Sequence, residues 1–296
     1  MKAAKKKVFV PVVAVLNMKG GVGKTTLSAN IFRVLFERRQ VRTLLLDLDP
    51  QFNLTQALFT RSSYDELKKH NRTILPVMEP ASTVGLFDVA TSTIPAPSAA
   101  SLTVSLRHFV KYPNIKLDVI PGDFGLVKYS LMNDSKKLDK VRDRFLRFIE
   151  AEKENYGIIC IDCNPSSSFL TLCALHACTH ILAPVRPDRF SMLGLEILSQ
   201  FVESLPSIAT KPQLFAVLNG VRRGGKDSVA TAVEAELRAH PTFASRTLIN
   251  VVPETGVLKA KTDYTGFATD KKGGWSKTVR AEVSLVADEL AKKLGL

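Results

Sequence analysis

Apolar positions along this chain fall into short solid runs that alternate with longer, spaced runs. Residues 8–16 and 43–48 are almost wholly apolar. Runs of that length predict strands covered on both faces. Similar runs at 116–120, 157–162, 180–185, 213–219 and 247–252 bring the expected sheet to about seven strands. Between them the spacing changes to three and four. Leu27, Ile31 and Leu35 share one face of a helix over 24–39. Leu138, Val141, Phe145 and Phe148 do so over 136–154, with Lys and Arg outward. Helices are also expected at 169–177, 192–205, 227–239 and 277–294. This alternation predicts an α/β fold with a mostly parallel, doubly wound sheet flanked by helices. No internal repeat is present.

Residues 60–113 interrupt the pattern. They are rich in Ser, Thr and Pro, as at Thr91, Ser92, Thr93, Pro95 and Pro97. Loops and short helices are expected there, as an elaboration of a single domain spanning 1–296. A chain of 296 residues suits one large α/β domain, and 45% hydrophobic content can fill its core.

Charge changes the picture. The 41 Lys and Arg against 28 Asp and Glu leave a net charge of +13. That excess favours polyanionic partners, nucleic acid ahead of an acidic membrane surface. No segment approaches the ~18 continuous apolar residues of a membrane span. Residues 1–7 are basic and precede an apolar run, as in a signal peptide. The run continues into a glycine-rich loop without a small-residue cleavage site, so a buried strand and a cytoplasmic protein are expected. The short stretch before that strand has no room for a helix-turn-helix, so sequence-specific operator binding is not expected.

Cys160 and Cys163 form a C-x-x-C, a spacing that redox or metal pairs use. Here they lie in a strand-like run, where residues three apart point to opposite faces. With Cys173 and Cys178 they are expected to be ordinary buried thiols. The five histidines are scattered, and no Ser–His–Asp arrangement is apparent.

The strongest signal is Gly20, Gly21, Val22, Gly23, Lys24, Thr25 and Thr26, between a predicted strand and a predicted helix. This is the context of a phosphate-binding P-loop. Glycines let backbone N–H groups wrap a phosphate, and the helix N-terminus adds its positive end. Lys24 can reach the β- and γ-phosphates, the Thr25 hydroxyl can ligate Mg2+, and Thr26 can bond the α-phosphate. The general pattern has Gly six residues before the lysine, where this chain has Met18.

The run from Lys19 to Thr26 resembles the deviant Walker A motif of the ParA/MinD ATPases. In that family the early lysine, matched by Lys19, crosses a dimer interface to the ATP of the other subunit. The resemblance therefore implies an ATP-sandwich homodimer. Asp47 and Asp49 close the second strand, in Asp49-Pro50-Gln51. The two are expected to alternate in direction, so that at most one faces the phosphates. The resemblance selects Asp49 to orient the attacking water and leaves Asp47 structural. Phe52 stands where the family usually has Gly. Asp162 matches the aspartate of the second switch, and Asn164 departs from the usual Pro there. Thr25, Asp49 and Asp162 are thus the implied surroundings of Mg2+. Lys19, Lys24, Asp49 and Asp162 are the implied catalytic set for slow ATP hydrolysis. Asn219 matches an asparagine that reads the adenine, and Pro253 lies where the family lays backbone against the base.

ParA-type members bind DNA without sequence preference, and MinD-type members bind membrane through a C-terminal amphipathic helix. Val279, Val283, Val286 and Leu290 have core spacing in a last helix without Trp or Phe, which predicts a packed helix rather than an anchor. Arg222, Arg223, Lys226, Lys259 and Lys261 are candidate DNA contacts, with Lys271, Lys272 and Lys277 nearby. The expected function is partition-like: the protein positions a plasmid, chromosome or protein cargo at the nucleoid, with a ParB-like protein or adaptor stimulating hydrolysis. A MinD-like membrane ATPase and a metabolic or assembly P-loop enzyme are the alternatives.

Overall fold

The computed structural model describes residues 9–80, 85, 88–164, 168–224, 228–259 and 264–296. Strand β1 (Val12–Val15) leads through the glycine loop into α1 (Lys24–Arg39), β2 (Thr43–Asp47) and α2 (Asn53–Leu58). The interrupted region holds α3 (Arg61–Lys69), α4 (Leu75–Met78), α5 (Ala99–Leu102) and β3 (Val104–His108). Then come β4 (Lys116–Ile120), α6 (Lys128–Leu131), α7 (Ser135–Glu152), β5 (Ile158–Asp162) and α8 (Phe169–Ala177). The chain continues with β6 (His180–Val185), α9 (Arg189–Ser204), β7 (Gln213–Val221), α10 (Ser228–Ala239), β8 (Val252–Pro253) and α11 (Ser276–Lys293).

The eight strands make one sheet in the order β3-β4-β2-β5-β1-β6-β7-β8. Every neighbouring pair is parallel except β3 with β4. Period-two alternation divides each strand between two cores. Val12 and Ala14 join Leu44, Leu46, Ile159 and Ile161 beneath α7, α8 and α9. Val13 and Val15 join Leu45, Ile158 and Cys160 beneath α1 and α11. Cys160 and Cys163 accordingly lie in opposite cores, all four cysteines are buried, and burial pushes their thiols up.

The predicted apolar face of α1 is fully buried, and α11 packs across the helix. Val279, Val283, Val286 and Leu290 of α11 are buried in that same core, each stabilising the contact by about 1.5–3 kcal/mol. The last helix is therefore packed, as its spacing predicts. Among the described residues no helix is long and apolar enough to cross a membrane.

Two expectations need correction. The sheet has an eighth strand, β3, inside the region expected to hold loops and short helices. As an edge strand it is half exposed, with Arg107 and His108 outward, so it lacks the solid apolar run of its neighbours. The strand expected at 247–252 contracts to Val252–Pro253, leaving Thr247 in an isolated bridge to Ala216. The reason lies in α11: the Glu289 carboxylate accepts the backbone N–H groups of Ile249 (2.7 Å) and Asn250 (2.9 Å). Those donors are engaged outside the ladder.

Candidate functional site

The chain leaves β1, returns through β2 on the far side of β5, and later adds β6 to the other edge of β1. Loops at the carboxyl ends of β1, β2 and β5 therefore meet at a topological switch point, where open α/β sheets bind ligands. Asp162 is in register with Val15 on one side and Asp47 on the other.

The glycine loop is held from three directions. Asn17, fully buried, donates to Pro184 O (2.8 Å) and accepts from Lys19 N (2.9 Å). Asn219 Nδ2 donates to Val22 O (2.7 Å). Gly23 has φ 95°, a conformation that requires glycine, and a Cβ there would also push aside Asn219 Nδ2, 2.2 Å away, and with it the bond to Val22 O. Helix α1 starts with no side-chain cap and no acidic residue in its first turn. Its free N–H groups and dipole are thus left for an anion. Lys24 lies inside the loop and donates to Lys19 O at 3.1 Å. Burial lowers its pKa, with Asp162, Cys163 and Asp49 opposing the shift.

These groups face a cleft of about 830 Å³ whose lining includes Gly20, Gly21, Gly23, Lys24, Thr25 and Thr26, with Asp49, Lys259 and Tyr264 opposite. Asp162 is fully buried. Its Oδ1 accepts from Ser28 Oγ (2.7 Å), and its Oδ2 has no partner. Burial raises the pKa of this carboxylate, and the nearby Ser28 and Thr25 hydroxyls oppose the shift. A buried carboxylate oxygen without a donor, beside a threonine hydroxyl at a phosphate loop, offers the hard oxygen ligands that Mg2+ takes. The residues present fit that ion.

Residues two apart on a strand share a face, so alternation does not separate Asp47 from Asp49. The strand ends at Asp47, and the turn beyond it makes the separation. Asp47 is fully buried and accepts from Thr55 N (2.8 Å), Thr55 Oγ1 (2.7 Å) and Asp49 N (3.3 Å). Burial and then Asp162 raise its pKa. It is a structural anchor, as expected. Asp49 instead lines the cleft, and its Oδ1 accepts from Gln51 N at 2.9 Å.

Phe52 adopts the left-handed backbone that glycine favours, with φ 41° and ψ 42°. That conformation costs about 1–2 kcal/mol for an L residue. Its ring stacks on Tyr64 with centroids 5.2 Å apart. Such a pair contributes about 0.5–1.5 kcal/mol, so it offsets much of the strain. The turn keeps a glycine-like shape without glycine.

Lys19 projects from the loop at the edge of α9. Its Nζ donates to Asp188 Oδ1 (2.5 Å) and Ser191 Oγ (3.3 Å), and lies 5.7 Å from the centre of the Phe190 ring. Asp188 also caps α9 by accepting from Ser191 N. Burial works to raise the Asp188 carboxyl, and the Lys19 and Ser191 donors outweigh it, leaving it low. Sequence reasoning missed Asp188, although an Asp just before a helical run is a capping signal. It also missed Ser28, one helical turn beyond Thr25. Asn219 braces the glycine loop, and Pro253 is buried opposite Val221 in β8.

The expected DNA contacts are only partly assembled. Arg222 pairs with Glu254 (3.0 Å) and Arg223 with Glu282 (2.5 Å), both on the exposed surface beyond β7. Lys259 belongs to the cleft lining. Lys226 and Lys261 lie outside the described residues.

Free helix N–H groups, a buried lysine and a strand-end carboxylate with one open oxygen at a switch point together define a P-loop nucleotide-binding protein. Comparison with known proteins narrows that class. Residues 10–214 match a family model described as an AAA domain. The chromosome partitioning protein ParA of Caulobacter vibrioides is 30% identical over 249 residues, covering 82% of this chain and 80% of that protein. This chain belongs to the ParA/MinD family of P-loop ATPases. Two solved structures share the fold. The structure of pNOB8 ParA bound to nonspecific DNA has TM-score 0.66 and 18% identity over 97% of this chain and 99% of that one. Cobyrinic acid a,c-diamide synthase from Mycobacterium smegmatis, with bound ADP and magnesium, has TM-score 0.66 and 20% identity over 97% of each chain.

Proposed function

We propose that this protein is a positioning ATPase: ATP binding assembles a homodimer that holds DNA without sequence preference, and hydrolysis releases it. The observation that carries this reading is the convergence of Lys24, Thr25 and Asp49 on one cleft, with Asp162 buried beside Lys24 and Lys19 on the same glycine loop, turned to Asp188. Lys24 and the N–H groups opening α1 bind the phosphates. Mg2+, held through Thr25 and Asp162, neutralises phosphate charge when bound. Asp49 orients the attacking water. Lys19 exchanges Asp188 for the phosphates of a second subunit. A ParB-like protein or adaptor would accelerate turnover by ordering these groups. The net charge of +13 and the DNA-bound structure of pNOB8 ParA support duplex DNA as the partner, and so action at the nucleoid.

The test is fluorescence anisotropy on two unrelated duplexes across a salt series. With ATP both should bind alike, with a log–log salt slope of about −0.9 per phosphate contacted. With ADP binding should be much weaker, because one subunit offers half the contacts. Affinity indifferent to nucleotide would sink the switch.

Lys19→Ala should keep ATP affinity and lose the dimer, since the side chain points away from its own cleft toward Asp188. Light scattering in ATP should return the monomer mass. A doubled mass would make Lys19 a bystander.

A further inference from the structure

The chain has one tryptophan, Trp275, and it is 67% exposed. Single exposed apolar side chains are common on protein surfaces. The setting of this ring is not. It stands on a turn made by Gly273 (φ 88°) and Gly274 (φ 47°), at the start of α11. The Arg223 guanidinium lies 5.6 Å from the ring centre. Lys272 and Lys277 are exposed on either side of it in the chain. Glu254 and Glu282, which face this surface, each accept an arginine, so cations outnumber carboxylates around the ring.

A hollow of about 580 Å³ beside the ring is walled by Trp275, Lys272, Val257, Tyr264 and Lys271. Tyr264 and Lys271 also line the nucleotide cleft. Lys271 Nζ donates to Val257 O at 2.8 Å, which ties the loop after β8 to the turn carrying the tryptophan. The cleft and the hollow beside the ring therefore share a wall, made by Tyr264 and Lys271.

A basic surface attracts polyanions of many kinds, but phosphate alone has no use for an indole. A nucleic acid offers both partners, phosphates for the cations and base and sugar surface for the ring. We propose that Trp275 is a direct DNA contact, its indole packed against base and sugar surface of a duplex while the exposed Lys272 and Lys277 hold the flanking phosphates. This rests on the reading of the protein as an ATP-dependent DNA binder, and it names the contact that reading lacks. The ring gives affinity without sequence preference, since every base step presents an apolar face. Its contribution is also insensitive to salt, unlike that of the lysines.

Because Trp275 is the only tryptophan, intrinsic emission reports on it alone. The protein is first saturated with a non-hydrolysable ATP analogue, so that any nucleotide effect is already present. Duplex DNA is then titrated, with anisotropy of a labelled duplex read in parallel. Emission should be quenched with the same midpoint as the anisotropy. Trp275→Ala should weaken binding about tenfold and leave the salt slope unchanged. Trp275→Phe should recover most of the loss. Lys272→Gln and Lys277→Gln should instead each reduce the slope by about 0.9. Thermal melting of each variant checks its fold, and the wild-type quenching needs no variant. If anisotropy rises while emission stays unmoved and Trp275→Ala binds like wild type, the ring is no contact and DNA binding stands without it. If anisotropy never rises at low salt in any nucleotide state, the proposal falls together with the DNA reading.

Discussion

Replacing Lys24 by Ala should weaken ATP binding by at least about 30-fold. Lys24 is buried within the glycine loop, where its ammonium donates to Lys19 O at 3.1 Å. A phosphate entering the loop takes over that ammonium, and water is largely excluded from the pair. Truncating one partner of such a buried, hydrogen-bonded charge pair costs about 2–5 kcal/mol, or roughly 30-fold to several thousandfold in affinity. The N–H groups opening α1 remain but carry only partial charge. The variant also leaves Asp49 and Asp162 without the nearby cation that now opposes their repulsion of a triphosphate. Calorimetric titration with a non-hydrolysable analogue measures the loss. Undiminished affinity would remove the glycine loop from the mechanism.

Asp49→Ala should produce the opposite division: nucleotide binds, and turnover collapses. The glycine loop and the N–H groups opening α1 do not include this side chain, whose carboxylate lines the cleft. Positioned groups of this kind contribute about 10²–10⁴-fold to rate, so a fall of at least a hundredfold is expected. With hydrolysis blocked, the ATP-bound dimer should persist, seen as a doubled mass in light scattering. Asp49→Asn separates two roles. Its amide oxygen can still accept from Gln51 N, the bond that shapes the turn at 2.9 Å, but it has lost the charge. Slow turnover in both variants would assign the effect to the carboxylate. Slow turnover in Ala alone would assign it to the turn. Wild-type turnover in both would show that another group positions the water.

Much of this site was legible in the sequence because it is built from short-range physics. Solid and spaced apolar runs report which faces of an element are covered, and that is decided within a few residues. The glycine loop is legible for the same reason: its backbone conformations depend on Gly21 and Gly23 themselves. Even the opposite faces of Cys160 and Cys163 follow from strand alternation alone. The resemblance to ParA/MinD proteins was likewise carried by one continuous run, from Lys19 to Thr26.

What the tertiary structure decided depends on groups far apart in the chain. Strand 247–252 looks complete in isolation, and it shortens because Glu289 captures two of its N–H groups. β3 looks polar, and β4 gives it a partner at the sheet edge. Asp47 and Asp162 become neighbours only because β5 inserts between β1 and β2. Folding pairs Lys19 with Asp188, and Arg222 and Arg223 with Glu254 and Glu282. A side chain's charge is written at its own position, but its counter-ion is chosen by how strands and helices pack. Local sequence therefore determined the sheet, the phosphate loop and the candidate chemistry. Long-range packing decided which carboxylate stays open to a metal, which anchors a turn, and where each cation is held.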